Sequence, residues 1–265
     1  MFYYNGEFKE NNYISLDIND STWLYGATVF TTLRVYQKSL YHPLTNWQNH
    51  CDRLKLSISE FNWIMPSWNQ IEEELEHLLQ YFSVLRITIF PDGKELIIGR
   101  QLPDNLAKKQ TEGIKGLVII DPQIMRSLPL HKTGNYLASY LALNQAKKQD
   151  YDEGILTNFD HNWLETSTGN LWGYKEGIWF TPALETGILN GIARQIIIKN
   201  AKFPVKINHW TPEFIADLEA VAYSNSVVEI IPFKTIKINQ QIKQYNSNHE
   251  AYLLLKHCYD ILRFS

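Results

Sequence analysis

One polar stretch limits what this chain can fold into. In "PDNLAKKQTEGIKG", residues 103–116, Pro103, Gly113 and Gly116 bracket a run of polar and charged side chains, and apolar patterning resumes only beyond it. On both sides, runs rich in β-branched and aromatic residues alternate with runs whose apolar residues recur at helical spacing. That order predicts an α/β (α+β) fold in two lobes. The expected boundaries are a small N-terminal domain over 1–105, a linker over 106–115 and a larger C-terminal domain over 116–265. With 265 residues, 45% of them hydrophobic, the chain can bury a core in each part.

Before the linker, "FYYNGEF" places two short apolar runs around Asn5-Gly6, the dipeptide best suited to a two-residue hairpin. "TVFTTLRVY" reads as a strand, and "LTNWQNHCDRLKLSISEF" as a helix with Trp47, Cys51, Leu54 and Ile58 on its buried face. "WNQIEEELEHLLQYF" reads as a second helix, and "VLRITIF" and "KELIIGRQL" as strands turning at Pro91-Asp92-Gly93. After the linker, "LVIID" is a strand and "LPLHKTGNYLASYLALNQAKK" leads into a helix. Short strands follow through "GILTNFDHNWLETSTGNLWGYKEGIWFTP", with turns at Asp160-His161-Asn162 and Lys175-Glu176-Gly177. Helices are expected at "NGIARQIIIKNAK" and "TPEFIADLE", then a strand at "AVAYS".

Charge and motif content exclude several functions. A net charge of -3, a pI near 6.2 and the lack of a basic stripe argue against a nucleic-acid partner. The N-terminal residues lack the basic and apolar segments of a signal peptide, and no run is long enough to span a bilayer, so a cytoplasmic protein without membrane association is expected. Cys51 and Cys258 are far apart, without metal-ligand spacing, and no metal is expected. GxSxG, HExxH, CxxC, Walker and GxGxxG patterns are all missing.

What remains is a set of residues that are each ambiguous alone. Lys132 is either one more solvated lysine with a pKa near ~10.4 or an amine whose setting lets it act as a Schiff-base nucleophile. Gly134 permits close backbone approach beside it, and Tyr136 supplies a hydroxyl. Glu165, after the apolar pair Trp163-Leu164, is either a solvent-facing acid or a partner for a protonated heteroaromatic ring. Gly191, before "IARQIIIK", is either a turn or the opening of a helix whose first N–H groups bind phosphate. Arg53 could grip a phosphate or pair with Asp52 or Glu60, and Ser224 and Ser226 could donate hydroxyls to an anion.

Taken in order, "YGATVFTTLRVY", "HCDRLKLS", "HKTGNYL", "DEGILTN", "WLETSTGNLWG", "FTPALETGILNGIARQ" and "SNSVVEIIPF" resemble the class IV (fold-type IV) family of pyridoxal-phosphate enzymes. The family includes branched-chain and D-amino-acid aminotransferases and aminodeoxychorismate lyase. The resemblance spans nearly the whole chain and implies a two-lobed fold-type IV protein, pyridoxal 5′-phosphate as cofactor, a small-molecule substrate and a homodimer. It implies that Lys132 forms the covalent link to the cofactor and moves protons. It further implies that Glu165 meets the pyridine nitrogen and that Tyr136 lies near the phenolic oxygen. Arg53, the Ile192 and Ala193 amides and the Ser226 hydroxyl would hold the phosphate.

Two departures stand out: Ala193 occupies a position where many members have threonine, and the Lys132-to-Tyr136 spacing is one residue shorter than in some aminotransferases. Phe30 is followed by Thr31-Thr32-Leu33-Arg34, which resembles the lyase and not the aminotransferase patterns. The implied activity is therefore conversion of 4-amino-4-deoxychorismate to 4-aminobenzoate and pyruvate, a step towards folate. Thr32 and Arg100 are the expected substrate contacts. The alternatives are a class IV aminotransferase for branched-chain or D-amino acids, and a non-catalytic binding protein that keeps the fold.

Overall fold

The computed structural model describes residues 1–121 and 123–263, and its contacts divide the mixed α/β chain into two units. Unit 1 comprises Met1–Pro103 together with His131–Asn135, and unit 2 comprises Asp104–Leu130 and Tyr136–Ser265.

Unit 1 begins with the antiparallel pair β1 (Phe2–Tyr4) and β2 (Glu7–Lys9). Asn5 and Gly6 join them with φ of 50° and 79°, the positive angles that this hairpin dipeptide tolerates. The short helix α1 (Ser21–Tyr25), β3 (Val29–Arg34), α2 (Trp47–Glu60), α3 (Trp68–Leu78), β4 (Val84–Ile89) and β5 (Glu95–Arg100) follow. The strands form a five-stranded sheet in the order β2-β1-β5-β4-β3, antiparallel throughout. Alternation along β3 sends Val29, Thr31 and Leu33 to one face and Phe30, Thr32 and Arg34 to the other. Val29 and Leu33 join a core with Leu54 and Ile58 of α2, Ile71, Leu75 and Leu78 of α3, and Ile87 of β4. The buried stripe of α2 is the expected Trp47, Cys51, Leu54 and Ile58, with His50 and Ser57 buried beside it.

The segment around Lys132 differs from the expected helix entrance. The Phe30 amide donates to the Lys132 carbonyl at 2.8 Å, the Gly134 amide donates to the Thr28 carbonyl at 2.7 Å, and Val29 and Thr133 form an antiparallel bridge. His131–Asn135 is thus a strand-like addition to β3, and the helix starts only at Leu137. It satisfies backbone groups that an edge strand would leave open. Glycine at 134 is required by the close approach, since a Cβ there would lie 2.0 Å from Thr28 Oγ1.

Unit 2 opens with α4 (Leu106–Glu112) and β6 (Ile114–Ile119), which replace the linker expected over 106–115. "LAKKQTE" consists largely of good helix formers, Leu106 is buried, and Gln110 Nε2 donates to the Val228 carbonyl at 2.8 Å. Pro103 and Gly113 therefore bound a packed helix. The division between units falls at Pro103–Asp104, and the expected 116–265 domain gains 104–115 and loses 131–135. Positions 122, 264 and 265 of that expected range lie outside the described residues.

The unit continues with α5 (Leu137–Lys147), β7 (Glu153–Thr157), β8 (Trp163–Thr166), β9 (Asn170–Lys175) and β10 (Ile178–Pro182). It ends with α6 (Ile192–Asn200), β11 (Val205–Asn208), α7 (Pro212–Ala216), β12 (Ala220–Asn225), β13 (Glu229–Ile238), β14 (Gln241–Gln244) and α8 (Ala251–Arg263). The strands run β11-β10-β9-β12-β13-β6-β7-β8, with β14 also paired to β13. The sheet is mixed: β10–β11, β13–β6 and β6–β7 are parallel, and the other pairs are antiparallel. Trp172, Trp179 and Phe233 on this sheet, with Trp210 just beyond β11, are the largest fully buried side chains among the described residues. Among the described residues, no helix is long and apolar enough to cross a membrane.

Candidate active site

In unit 1 the site is built on one face of α2. His50, Arg53 and Ser57 recur at i, i+3 and i+7, so one side of the helix carries all three. Arg53 Nη2 donates to Thr31 Oγ1 at 2.6 Å, and Thr31 Oγ1 lies 2.5 Å from His50 Nδ1. Ser57 Oγ is 2.9 Å from Nδ1 of His131, whose Nε2 lies 3.2 Å from a Glu60 carboxylate oxygen. The same helical face therefore holds β3 through Thr31 and the Lys132 segment through His131.

Lys132 lies on the opposite side of β3 from Thr31. Its ammonium is 4.7 Å from the Phe30 ring centroid, and the Arg86 guanidinium is 3.7 Å from the same centroid. An aromatic face attracts both cations and fixes where they sit. Thr32 shares this face, with Arg86 as its cross-strand partner, whereas Arg100 lies exposed at the end of β5 opposite Val84. His50 is pushed well below the ordinary histidine range by burial, then by the positive charges of Arg53 and Lys132.

In unit 2, Glu165 lies next to the end of the buried strand β8. Its Oε1 accepts from Arg126 Nη1 at 2.9 Å, its Oε2 accepts from the Leu189 amide at 3.2 Å, and Glu165 and Arg126 side chains are each 6% exposed. Arg126 also lies 5.8 Å from the Tyr136 ring centroid. The Tyr136 hydroxyl donates to the Ser167 carbonyl at 3.3 Å, and its pKa is raised by burial first and by Glu165 second.

The loop after Glu165 is anchored by a second buried acid. Glu153 accepts from the Ser167 hydroxyl and, at 2.7 Å, from the Thr168 hydroxyl; burial pushes its pKa up to about 6 despite these donors. The folded state therefore holds a proton that the unfolded chain, nearer 4.5, has already released. Glu153 contributes full stability below pH 4.5, and that contribution is lost as pH rises through 6. Thermal unfolding from pH 4 to 8 should show wild type losing about 2 kcal/mol more than Glu153→Gln. Parallel curves for the two proteins would refute this.

Gly191 caps α6 with no side-chain acceptor, so Ile192 and Ala193 stand at the positive end of the helix. A Cβ on Gly191 would lie 2.1 Å from Asn170 Oδ1, and Asn170 Nδ2 donates to the Leu189 carbonyl at 2.7 Å. Ser226 is half-buried in the β12–β13 turn, which Asn225 holds by accepting from the Val227 and Val228 amides. Of the expected site residues, unit 1 thus holds Lys132, Arg53, Thr32 and Arg100, and unit 2 holds Tyr136, Glu165, Ile192, Ala193 and Ser226. Within unit 1, Arg53 engages β3 directly, while Arg100 stands at an exposed strand end. Sequence reasoning did not single out Arg126, Glu153, His50 or Arg86 as site residues. Arg126 sits in an irregular loop with no periodic signal, and the partners of the other three come from distant parts of the chain.

Residues 28–236 match the family described as amino-transferase class IV. The chain is 27% identical over 263 residues to the aminodeoxychorismate lyase of Bacillus subtilis, covering 89% of this chain and 87% of that protein. It is 28% identical over 257 residues to a D-alanine aminotransferase of Listeria monocytogenes, covering 88% and 86% respectively. Among solved structures, a hypothetical aminotransferase from Mycobacterium tuberculosis in its PLP-bound form superposes with a TM-score of 0.81 at 16% identity, over 99% of this chain and 98% of that one.

Proposed function

The chain belongs to the class IV aminotransferase family of pyridoxal-phosphate enzymes, and from that premise we propose that it is a 4-amino-4-deoxychorismate lyase. The donor set fits the cofactor: Lys132 offers an amine, Arg53 and the uncapped start of α6 offer N–H groups for a phosphate, and buried Glu165 offers a carboxylate for a protonated ring nitrogen. Bound pyridoxal phosphate supplies an electron sink for a carbanion formed beside the substrate nitrogen.

In this reading the Lys132 amine takes the proton from the amine-bearing ring carbon. The ring carbon–oxygen bond to the enolpyruvyl group breaks, its electron pair leaves with the oxygen, and a proton returned to the methylene carbon gives pyruvate. The ring is left aromatic as 4-aminobenzoate, and no second substrate is needed. Glu165 keeps the ring nitrogen protonated, with Arg126 and the Leu189 amide fixing its two oxygens. The observation that carries the reading is the Phe30 ring, which bears both the Lys132 ammonium and the Arg86 guanidinium. A proton-transfer group and a cation suited to a carboxylate thus share one aromatic surface, and the substrate carries two carboxylates. Thr32 beside Arg86 and the similarity to the Bacillus lyase support the same substrate.

An aminotransferase acting on D- or branched-chain amino acids is the second reading, favoured by the near-equal similarity to the Listeria enzyme. Supplying aminodeoxychorismate alone should yield 4-aminobenzoate and pyruvate in equal amounts. Failure to form 4-aminobenzoate, with rapid keto-acid production from D-alanine or leucine and 2-oxoglutarate, would overturn the lyase reading. A protein that took up pyridoxal phosphate but turned over neither substrate would be a binding protein. We further read the protein as a cytoplasmic homodimer; the exposed Tyr13, Ile18, Trp23 and Tyr25 of unit 1 are apolar surface suited to cover by a second copy.

A further inference from the structure

We propose that Thr31 and His50 are positioning residues that aim the Arg53 guanidinium at the cofactor phosphate, acting as a one-way hydrogen-bond chain from arginine to hydroxyl to imidazole. The inference rests on the reading of Arg53 as a phosphate ligand and adds what holds it. Arg53 has only donors, so at the 2.6 Å contact Thr31 Oγ1 must accept. The hydroxyl proton can then be given to His50 Nδ1, 2.5 Å away, which accepts it when His50 carries its own proton on Nε2. The neutral His50 which that direction needs is favoured by its 1% exposure and by the nearby Arg53 and Lys132 charges.

In that tautomer the chain runs one way, from guanidinium to hydroxyl to imidazole. A protonated His50 would instead offer a second donor to Thr31 Oγ1 and add a positive charge beside the guanidinium. Position matters as much as polarity. Thr31 is fully buried on the core-facing side of β3, and His50 precedes Arg53 by one helical turn. The guanidinium plane is thereby tied to the sheet as well as to its own helix, which limits the rotamer freedom that a long side chain would otherwise lose on gripping a phosphate. Threonine in this strand thus supplies an acceptor that a valine of equal shape would lack.

The test compares affinities of full-length, cofactor-stripped protein for pyridoxal phosphate and for pyridoxal, which lacks the phosphate. Thr31→Val should weaken pyridoxal phosphate binding on the order of tenfold while leaving pyridoxal binding within about twofold. His50→Asn keeps an acceptor near the Nδ1 position and should retain phosphate-dependent affinity, whereas His50→Leu should lose it as Thr31→Val does. Equal loss of both ligands in Thr31→Val and His50→Leu would mean a general packing role and overturn the inference. So would indistinguishable behaviour of His50→Asn and His50→Leu. Arg53→Gln is the control for the underlying reading. If it shows phosphate-selective loss and Thr31→Val does not, only the positioning inference fails. If Arg53→Gln shows none, the reading of Arg53 fails and the inference falls with it.

Discussion

Lys132→Ala should lower turnover by at least about a thousandfold and leave no cofactor attached after borohydride treatment, whereas wild type should yield a pyridoxyl-modified peptide containing Lys132. The size of the effect follows from two roles in one amine, covalent attachment and proton transfer, neither of which alanine can replace. The fold should survive the change. The Lys132 carbonyl that receives the Phe30 amide belongs to the backbone, and what is lost locally is the cation over the Phe30 ring. Wild-type-like turnover in the alanine variant, or modification at another lysine, would remove Lys132 from the mechanism.

Glu165→Gln should produce the next largest effect and should separate chemistry from stability. An amide cannot hold a ring nitrogen protonated, so turnover is expected to fall about a hundredfold or more. The variant also leaves the buried Arg126 guanidinium facing a neutral group, and uncompensated burial of one partner typically costs about 3–5 kcal/mol. Glu165→Gln combined with Arg126→Met removes both charges. It should recover much of the thermal stability and none of the activity. Recovery of activity in the double variant would show that the carboxylate matters only as the partner of Arg126.

These expectations show how unevenly the molecule was legible in its sequence. The α2 stripe was readable as a local period imposed by one buried face, and β3 and β4 as local runs of β-branched and apolar residues. α4 was not, because Pro103 and two glycines look like a break, while the contacts that hold the helix, such as Gln110 to Val228, come from residues distant in sequence. The pairing of the Lys132 segment was hidden for the same reason: its partner strand β3 lies far upstream, and no periodicity within "HKTGNYL" announces it. Ordered motifs were enough to name Lys132, Arg53 and Glu165 as candidates. What fixes their geometry, Thr31 with His50 and Arg126 with Glu165, is pairwise and non-local, so only coordinates reveal it.

The addition of His131–Asn135 to β3 also sets a timetable for biosynthesis. Unit 1 cannot be completed from Met1–Pro103 alone, because its last strand is encoded beyond Leu130. At ribosomal speeds of about 5–20 residues per second, the Phe30 amide waits on the order of ten seconds for the Lys132 carbonyl to emerge. During that interval the nascent chain carries an open sheet edge, the state in which chaperone capture or pairing with another chain competes with folding. The residue proposed to do the chemistry is thus delivered by the segment that closes this edge, so a polypeptide that stalls before His131 lacks both.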